Sequence, residues 1–470
     1  MNLSSYGAEV TPPTAPAFSR SMKMIGCLMI TVSCVTPASS LFIVIPGVVQ
    51  QAGSGALISA GIGAFISLLI AFVYAELASA FPVSGGEYAM VGRVMGPLSG
   101  FVILGLNLVV LMLGIAVIAV GLGSYVHAIL PAYSALSEAL VCLGATTLCA
   151  LLSIRTNAFI TACFLALELV ALLVVTALGF SGPFNPWASL LFDPMVANAA
   201  GQLVPATFSN IGLGTSAAVF AFYGFGCAIY LGEETQGASR HVARAVLWAL
   251  VISVVAQVVP LAALLHGAPH TAQLFQSDTM FGDMVRARGG QSLATVINVS
   301  VALAIFNANV AIVILASRMV FSTGRDQVWS GRIDEAIVRV DDRFRSPWVA
   351  TMVTGALSGL LSLLDFQLLL VASGTALMVV YGYLCVAVIA GRRDGATAHA
   401  LYKMPLYPLP PVLALVAFAY IIFTNVTNPE TGLTSFLATA AILIVSALYY
   451  QLVLRKRGKW VLRGPVDEQG

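Results

Sequence analysis

Along this chain, apolar residues gather in runs of about 20 with few charges between them, the length that crosses the hydrocarbon of a bilayer as a helix. Twelve such runs are expected, at about 24–48, 55–80, 98–128, 135–153, 157–180, 208–232, 243–266, 291–322, 348–364, 367–390, 409–427 and 433–454. Two of them are broken in the middle by residues that spoil a helix. The run from Ile25 to Val49 is interrupted by Thr36-Pro37-Ala38-Ser39-Ser40, and that from Ala217 to Leu231 by Tyr223-Gly224-Phe225-Gly226. Lipid supplies no hydrogen bonds, so a break of this kind survives only where it lines a cavity or is buried in protein.

Composition agrees with the pattern. Of 470 residues, 59% are hydrophobic and 9% charged, and the mean hydropathy is +0.95. A soluble domain carries about 25% charged residues. A net charge of +2 with no basic stripe gives no footing for nucleic acid. The first residues are polar and proline-rich from Thr11 to Pro16, with Arg20 and Lys23 ahead of the first apolar run. No small-residue cleavage site follows a short apolar stretch, so this segment is expected to be a retained tail, not a signal peptide. The seven cysteines (Cys27, Cys34, Cys142, Cys149, Cys163, Cys227 and Cys385) all fall in apolar runs without a CxxC pair. They are expected as small buried hydrophobes, without metal or disulfide chemistry. Cys34 and Cys227 sit beside the two breaks, where either can face a cavity.

Charge fixes the orientation. With twelve spans, all but two of the 22 Lys and Arg fall on the side of the termini; only Arg286 and Arg288 fall opposite. The positive-inside rule makes that side cytoplasmic. Breaks in spans 1 and 6 imply a repeat of five spans, and five being odd, the halves run in opposite senses. The expected fold is therefore an all-α membrane protein of twelve helices, a 5+5 inverted repeat with two extra helices. Its parts would be a cytoplasmic tail (1–23), a first repeat (24–180), an extracellular loop (181–207), a second repeat (208–390), spans 11 and 12 (391–454) and a cytoplasmic tail (455–470). Paired interrupted spans in two halves mark a transporter's substrate site at the midplane.

Three motifs carry a resemblance. The first is Tyr74-Ala75-Glu76-Leu77, then Phe81-Pro82, Gly85-Gly86-Glu87-Tyr88 and Gly96-Pro97. The second is Phe220-Ala221-Phe222-Tyr223-Gly224-Phe225, then Glu233-Glu234-Thr235, Arg240 and Arg244-Ala245. The third is Ala316-Ser317-Arg318, Phe321 and Gly324-Arg325-Asp326. In order and spacing, over about residues 24–330, the chain resembles the amino acid–polyamine–organocation transporter superfamily. The resemblance implies secondary transport of amino acids or related amines, in the inverted-repeat fold shared with sodium-coupled amino acid transporters. It also implies that Phe222 covers the substrate. An inner gate of ion pairs is implied among Glu76, Glu87, Arg93, Glu233, Glu234, Arg240, Arg318 and Arg325. Two departures stand out: the first break holds no glycine, and Gly226 stands where the family often has glutamate.

The breaks suggest how a ligand is held. A half-helix starting near Ser39 points unpaired N–H groups and a positive dipole end at the cavity, which suits a carboxylate. Pro37 interrupts the ladder; Ala38 completes the segment, and Thr36, Ser39 and Ser40 offer hydroxyls that can cap the helix or contact a ligand. The bland alternative is a proline kink satisfied by neighbouring helices. In span 6, Gly224 and Gly226 let the backbone unwind and approach a ligand. The half-helix ending there presents carbonyls that suit an ammonium. Phe222, Tyr223 and Phe225 would pack around it, with interhelical packing the alternative for Phe220 and Phe225. Leu111, Met112 and Ile115 of span 3 are expected to face inward.

Glu168 lies in mid-span within Leu165-Ala166-Leu167-Glu168-Leu169-Val170, and an ionisable group there is a functional candidate by default. By the resemblance, several proton-coupled members of the superfamily have a lysine in this span at the position that Glu168 matches. A buried carboxylate can do similar work, loading a proton in one state and releasing it in another. Holding Na⁺, pairing with a cationic substrate, or a permanently protonated structural role are the alternatives. Asn307 and Asn309 point to different faces of span 8, so one is expected toward the cavity and the other toward a neighbouring helix. Asn107 reads as interhelical glue, and Thr375, in Ser373-Gly374-Thr375, as cavity wall.

Enzyme motifs and channel filters are missing: no HExxH, no Walker loop, no repeated filter. The expectation is a proton-coupled symporter in the cytoplasmic membrane carrying an amino acid or amine, with no cofactor, metal, nucleic acid or obligatory partner subunit. Na⁺ coupling and substrate–product exchange stay open as alternatives.

Overall fold

The computed structural model describes residues 22–458 apart from 83–84, 130–132, 153, 182–184, 199, 342–345 and 428–431. The side chains of 128–129, 154–163, 165, 233–234 and 425 are likewise left undescribed. Arg20, Arg343, Arg345, Lys459 and Arg463 thus lie outside the described residues, as do the side chains of Arg155, Cys163, Glu233 and Glu234.

Helix α1 (Met24–Val35) stops at Thr36, whose φ of 49° and ψ of 66° are left-handed. Pro37 follows, so the ladder loses a donor where the backbone turns. The chain resumes as α2 (Pro37–Ser39), a π-turn (Ser40–Val44) and α3 (Ile45–Ala52). A short 3-10 turn leads into α4 (Ala56–Ala80). Then come α5 (Glu87–Met95), α6 (Pro97–Ile129), α7 (Ala135–Ala150), α8 (Ile154–Phe180) and α9 (Trp187–Phe192). Strands β1 (Met195–Ala197) and β2 (Leu203–Pro205) pair antiparallel, Met195 opposite Pro205.

Helix α10 (Phe208–Ala221) opens on a capping box, the Thr207 hydroxyl accepting from the Asn210 N–H while Asn210 accepts from the Thr207 N–H. It ends at the second break. Gly224 sits at φ 115°, and the chain continues as a 3-10 stretch, Phe225–Glu234. The remainder is helical: α11 (Ala238–Gly267), α12 (Ala272–Phe275), α13 (Met280–Arg325), α14 (Gly331–Ile337), α15 (Trp348–Leu361), α16 (Phe366–Arg393), α17 (Leu409–Val426), α18 (Gly432–Tyr449) and α19 (Arg455–Arg457). Gly290, at φ 78° and ψ 173°, interrupts α13 and separates a short leading piece from the long apolar one.

Each of the twelve expected runs holds helix. Among the described residues, seven helical segments are long and apolar enough to cross a membrane. They are Met24–Ala80, which contains both α1–α3 and α4, Pro97–His127, Phe208–Gly232, Ala238–Gly267, Met280–Arg325, Phe366–Arg393 and Gly432–Arg457. Ala135–Ala150, Ala166–Phe180, Trp348–Leu361 and Leu409–Thr424 are shorter apolar helices. Large apolar side chains on the outside, such as Val170, Leu173, Leu360, Val416 and Leu448, are half or more exposed, as on a surface solvated by lipid. The chain is a multi-pass integral membrane protein.

Packing places the two breaks in the interior. Helix α4 packs on α10 and α11, α8 on α11 and α13, and α6 on α13 and α16, with α17 and α18 lying against α16 at the edge. Every residue from Thr31 to Val49 is buried. A segment of that length, buried on all sides, is the middle of the molecule, not a face of it.

Candidate functional site

A small cavity lies where the two breaks meet, leaving about 40 Å³ that the centre of a water-sized group can occupy. The first break contributes Cys34, Val35, Thr36, Ser39 and Ser40, with Val44 one turn on. The second contributes Phe220, Tyr223, Gly224 and Cys227. Leu111, Gly114 and Ile118 of α6 and Ile312 and Leu315 of α13 close the sides. No charged side chain lines it among the described residues.

At the first break the donors are shared out. Thr36 N–H donates to the Val32 carbonyl at 3.1 Å and Ser40 N–H to the Thr36 carbonyl at 3.0 Å. Ala38 N–H donates to Glu168 Oε1 at 2.5 Å. Glu168 therefore reaches from α8 to the start of the half-helix, where the positive dipole end would favour its ionised form. It is 4% exposed while its neighbours Leu169 and Val170 are 42% and 57% exposed, so α8 turns its acid inward and its apolar face out. No ion pair engages Glu168 among the described residues. Ser40 Oγ donates to the Val35 carbonyl at 3.3 Å. Ser39 Oγ is buried against the cavity with no partner among the described residues; a buried hydroxyl in that state calls for a ligand or water.

At the second break the fit is tighter than a ligand path requires. A Cβ on Gly224 would lie 2.8 Å from Val35 Cα and 3.1 Å from the Cys34 carbonyl oxygen. The two unwound segments thus touch backbone to backbone. A Cβ on Gly226 would meet the Tyr74 ring at 2.9 Å, which is why no larger residue stands there. Tyr223 stacks on Phe220, ring centroids 6.3 Å apart.

Below the cavity, toward the end rich in Lys and Arg, Tyr74, Phe225 and Tyr381 form an edge-to-face cluster, Tyr74 lying 5.8 Å from each of the other two. Glu87 sits beneath it and accepts from Tyr74 OH at 2.7 Å, Asn107 Nδ2 at 3.0 Å and Tyr230 OH at 2.5 Å. Burial pushes the Glu87 carboxyl above the usual carboxylate range, against the pull of the Tyr230 and Tyr74 hydroxyls. Nearer that end Glu76 takes two bonds of 2.6 Å from Arg392 and one of 2.8 Å from Met404 N–H. On the other side of the cavity, Phe42 packs edge-on against Phe281 at 5.4 Å and Tyr125 at 6.1 Å.

Of the residues expected at the site, Thr36, Ser39, Ser40, Leu111, Tyr223 and Gly224 line the cavity. Pro37 and Ala38 are buried behind it, Ala38 presenting its N–H to Glu168. Ile115 and Met112 are buried but do not line it; the lining face of α6 runs 111, 114, 118, one helical stripe. Phe222, expected over the substrate, is fully buried outside the lining, and Phe220 takes the cavity-side position. Phe225 and Gly226 belong to the aromatic layer below. Asn309 donates to Thr146 Oγ1 at 3.3 Å, toward α7. Asn307 is buried and Thr375 donates to the Val371 carbonyl at 2.8 Å; neither lines the cavity. Glu76 pairs with Arg392, which lies outside the set expected to form the inner gate, and Glu87 is held by phenols and an amide instead of a cation. Arg325 pairs with its neighbour Asp326.

Comparison with known proteins fits this geometry. The chain is 24% identical over 434 residues, 87% of each chain, to the branched-chain amino acid permease BcaP of Bacillus subtilis. It is 22% identical over 426 residues to the methylthioribose transporter of the same bacterium, covering 85% of this chain and 86% of the relative. With the mouse Asc-type amino acid transporter 1 it shares 26% identity over 409 residues, 83% of this chain and 74% of the relative. These relatives are transporters, not enzymes. Residues 26–463 match the amino acid permease family, and the chain belongs to that family.

Proposed function

We propose that this permease moves an amino acid with an apolar side chain, or a related amine, across the cytoplasmic membrane by alternating access coupled to a proton. Twelve spans in a 5+5 inverted repeat with both termini cytoplasmic would place the two breaks at the midplane, one in each half. The observation that carries the reading is the Glu168–Ala38 contact. A lone buried carboxylate bonded to the break that the substrate must touch can sense the substrate and the proton together. Ser39 Oγ stands ready for a polar end of the ligand, and carbonyls at the ends of α1 and α10 suit an ammonium. Val35, Val44, Leu111, Ile118, Ile312 and Leu315 leave a side-chain space that is apolar. The named substrate class of the Bacillus permease supports the same choice.

A ligand that binds only the native state raises apparent stability, by about 2.7 kcal/mol at a hundred times its dissociation constant. Leucine, isoleucine and valine should raise the melting temperature of the purified protein, while aspartate and arginine should leave it unchanged. A shift with methylthioribose and none with any amino acid would replace the amine reading with a neutral-sugar one.

A further inference from the structure

Two cysteines that the transport reading leaves unused line one cavity, one from each break. Cys34 is the penultimate residue of α1 and Cys227 the third of the 3-10 stretch, and both line the cavity. The cavity they share leaves only about 40 Å³ for the centre of a water-sized group. The backbones that carry them are fixed. Cys227 N–H donates to the Gly224 carbonyl at 2.9 Å, and the space for a Cβ on Gly224 is filled by the Cys34 carbonyl and Val35. The two segments that carry these side chains are thus held against each other. By contrast, Cys27 and Cys385 are fully buried elsewhere in the core.

We propose that Cys34 and Cys227 form a two-thiolate site for a soft, thiophilic cation inside the permease cavity, joining the two helix breaks. Sulfur ligands select soft d¹⁰ ions over hard ones, which take oxygen. The lining offers no carboxylate to attract Mg²⁺ or Ca²⁺. A divalent ion such as Hg²⁺ would form two metal–sulfur bonds as each S–H bond breaks, releasing two protons with no change of oxidation state. Bound there, the ion would tie α1 to the start of the 3-10 stretch and stop the breaks from moving apart.

The test uses the full-length protein in detergent with mercuric chloride as the probe, followed by a wash in excess mercaptoethanol. The wash strips mercury from isolated thiols but not from a chelating pair. The wild type should keep about one ion per chain and release about two protons on binding it. Cys34→Ser and Cys227→Ser should each lose it on the order of a hundredfold more readily, since each leaves one ligand. Cys34→Ala and Cys227→Ala carry the same comparison if serine upsets folding, with the melting transition as the check. Equal retention by the wild type and the doubly substituted Cys34→Ala/Cys227→Ala protein, or none by the wild type, would overturn the site. The readout is metal content, so it stands apart from which substrate is carried.

Discussion

At the first break a threonine carries the positive φ and a proline ends the ladder; at the second a glycine does so, and a ten-residue 3-10 stretch follows. The first is surrounded by polar groups: Glu168 on the Ala38 N–H, the Ser40 hydroxyl on the Val35 carbonyl, and the Ser39 hydroxyl, which has no partner among the described residues. The second is surrounded by rings and by the backbone of the first. Recognition chemistry is thus concentrated in one break and steric fit in the other. In that arrangement the first break can tolerate changes of backbone freedom but not of hydrogen bonding. The second can tolerate neither an added atom nor a change of φ.

The largest effect is expected at Gly224. At φ 115° any side chain is strained, and a Cβ meets Val35 Cα at 2.8 Å. Strain of this kind costs about 1–3 kcal/mol before the clash is counted. Gly224→Ala should lower thermal stability and abolish leucine binding together. Since the obstruction is helix against helix, Gly224→Leu should impair folding as well as block the ligand. A Gly224→Ala protein of normal stability and affinity would show that the breaks do not touch.

A smaller effect is expected at Ser39. Removing its hydroxyl leaves no buried group unpaired within the protein, so Ser39→Ala should keep or raise stability. A net hydrogen bond contributes about 0.5–1.5 kcal/mol, which corresponds to roughly two- to twelvefold weaker leucine binding by calorimetry. Unchanged affinity would move the ligand away from the first break.

The smallest is expected at Thr36. A left-handed β-branched residue costs about 1–2 kcal/mol, and glycine relieves that while giving back about 0.5–1 kcal/mol of chain entropy. Thr36→Gly should therefore fall within about 1 kcal/mol of the wild type in denaturant or thermal unfolding. A loss as great as that of Gly224→Ala would mean that the threonine side chain, not the backbone turn, makes the break.

The helices, both breaks and the inward acid of α8 could be read from residue order, because each depends on local features: apolar length, proline and glycine, and a charge where lipid admits none. The faces of the helices could not. Span 6 mixes small polar residues such as Thr215 and Ser216 with apolar ones and shows no clear polar and apolar faces, so periodicity does not mark its inner side. Its helix also ends at Ala221, so a 100° step per residue no longer applies by Phe222, and Phe220 takes the cavity-side place. On α6 the stripe 111, 114, 118 includes a glycine that no hydrophobic count selects. The Glu76–Arg392 pair joins residues more than 300 positions apart, beyond any local pattern.

Glu168 is where the two halves of the account join, and Glu168→Gln tests it most directly. The amide keeps the shape and can still accept the Ala38 N–H through its carbonyl oxygen, but it cannot carry a proton. Leucine uptake into proteoliposomes would be measured without sodium, at symmetric pH and with the outside acidic. The wild type should concentrate leucine only in the acidic case, while the variant should exchange leucine but concentrate it in neither. Full pH-driven accumulation by the Glu168→Gln protein would contradict proton coupling through Glu168.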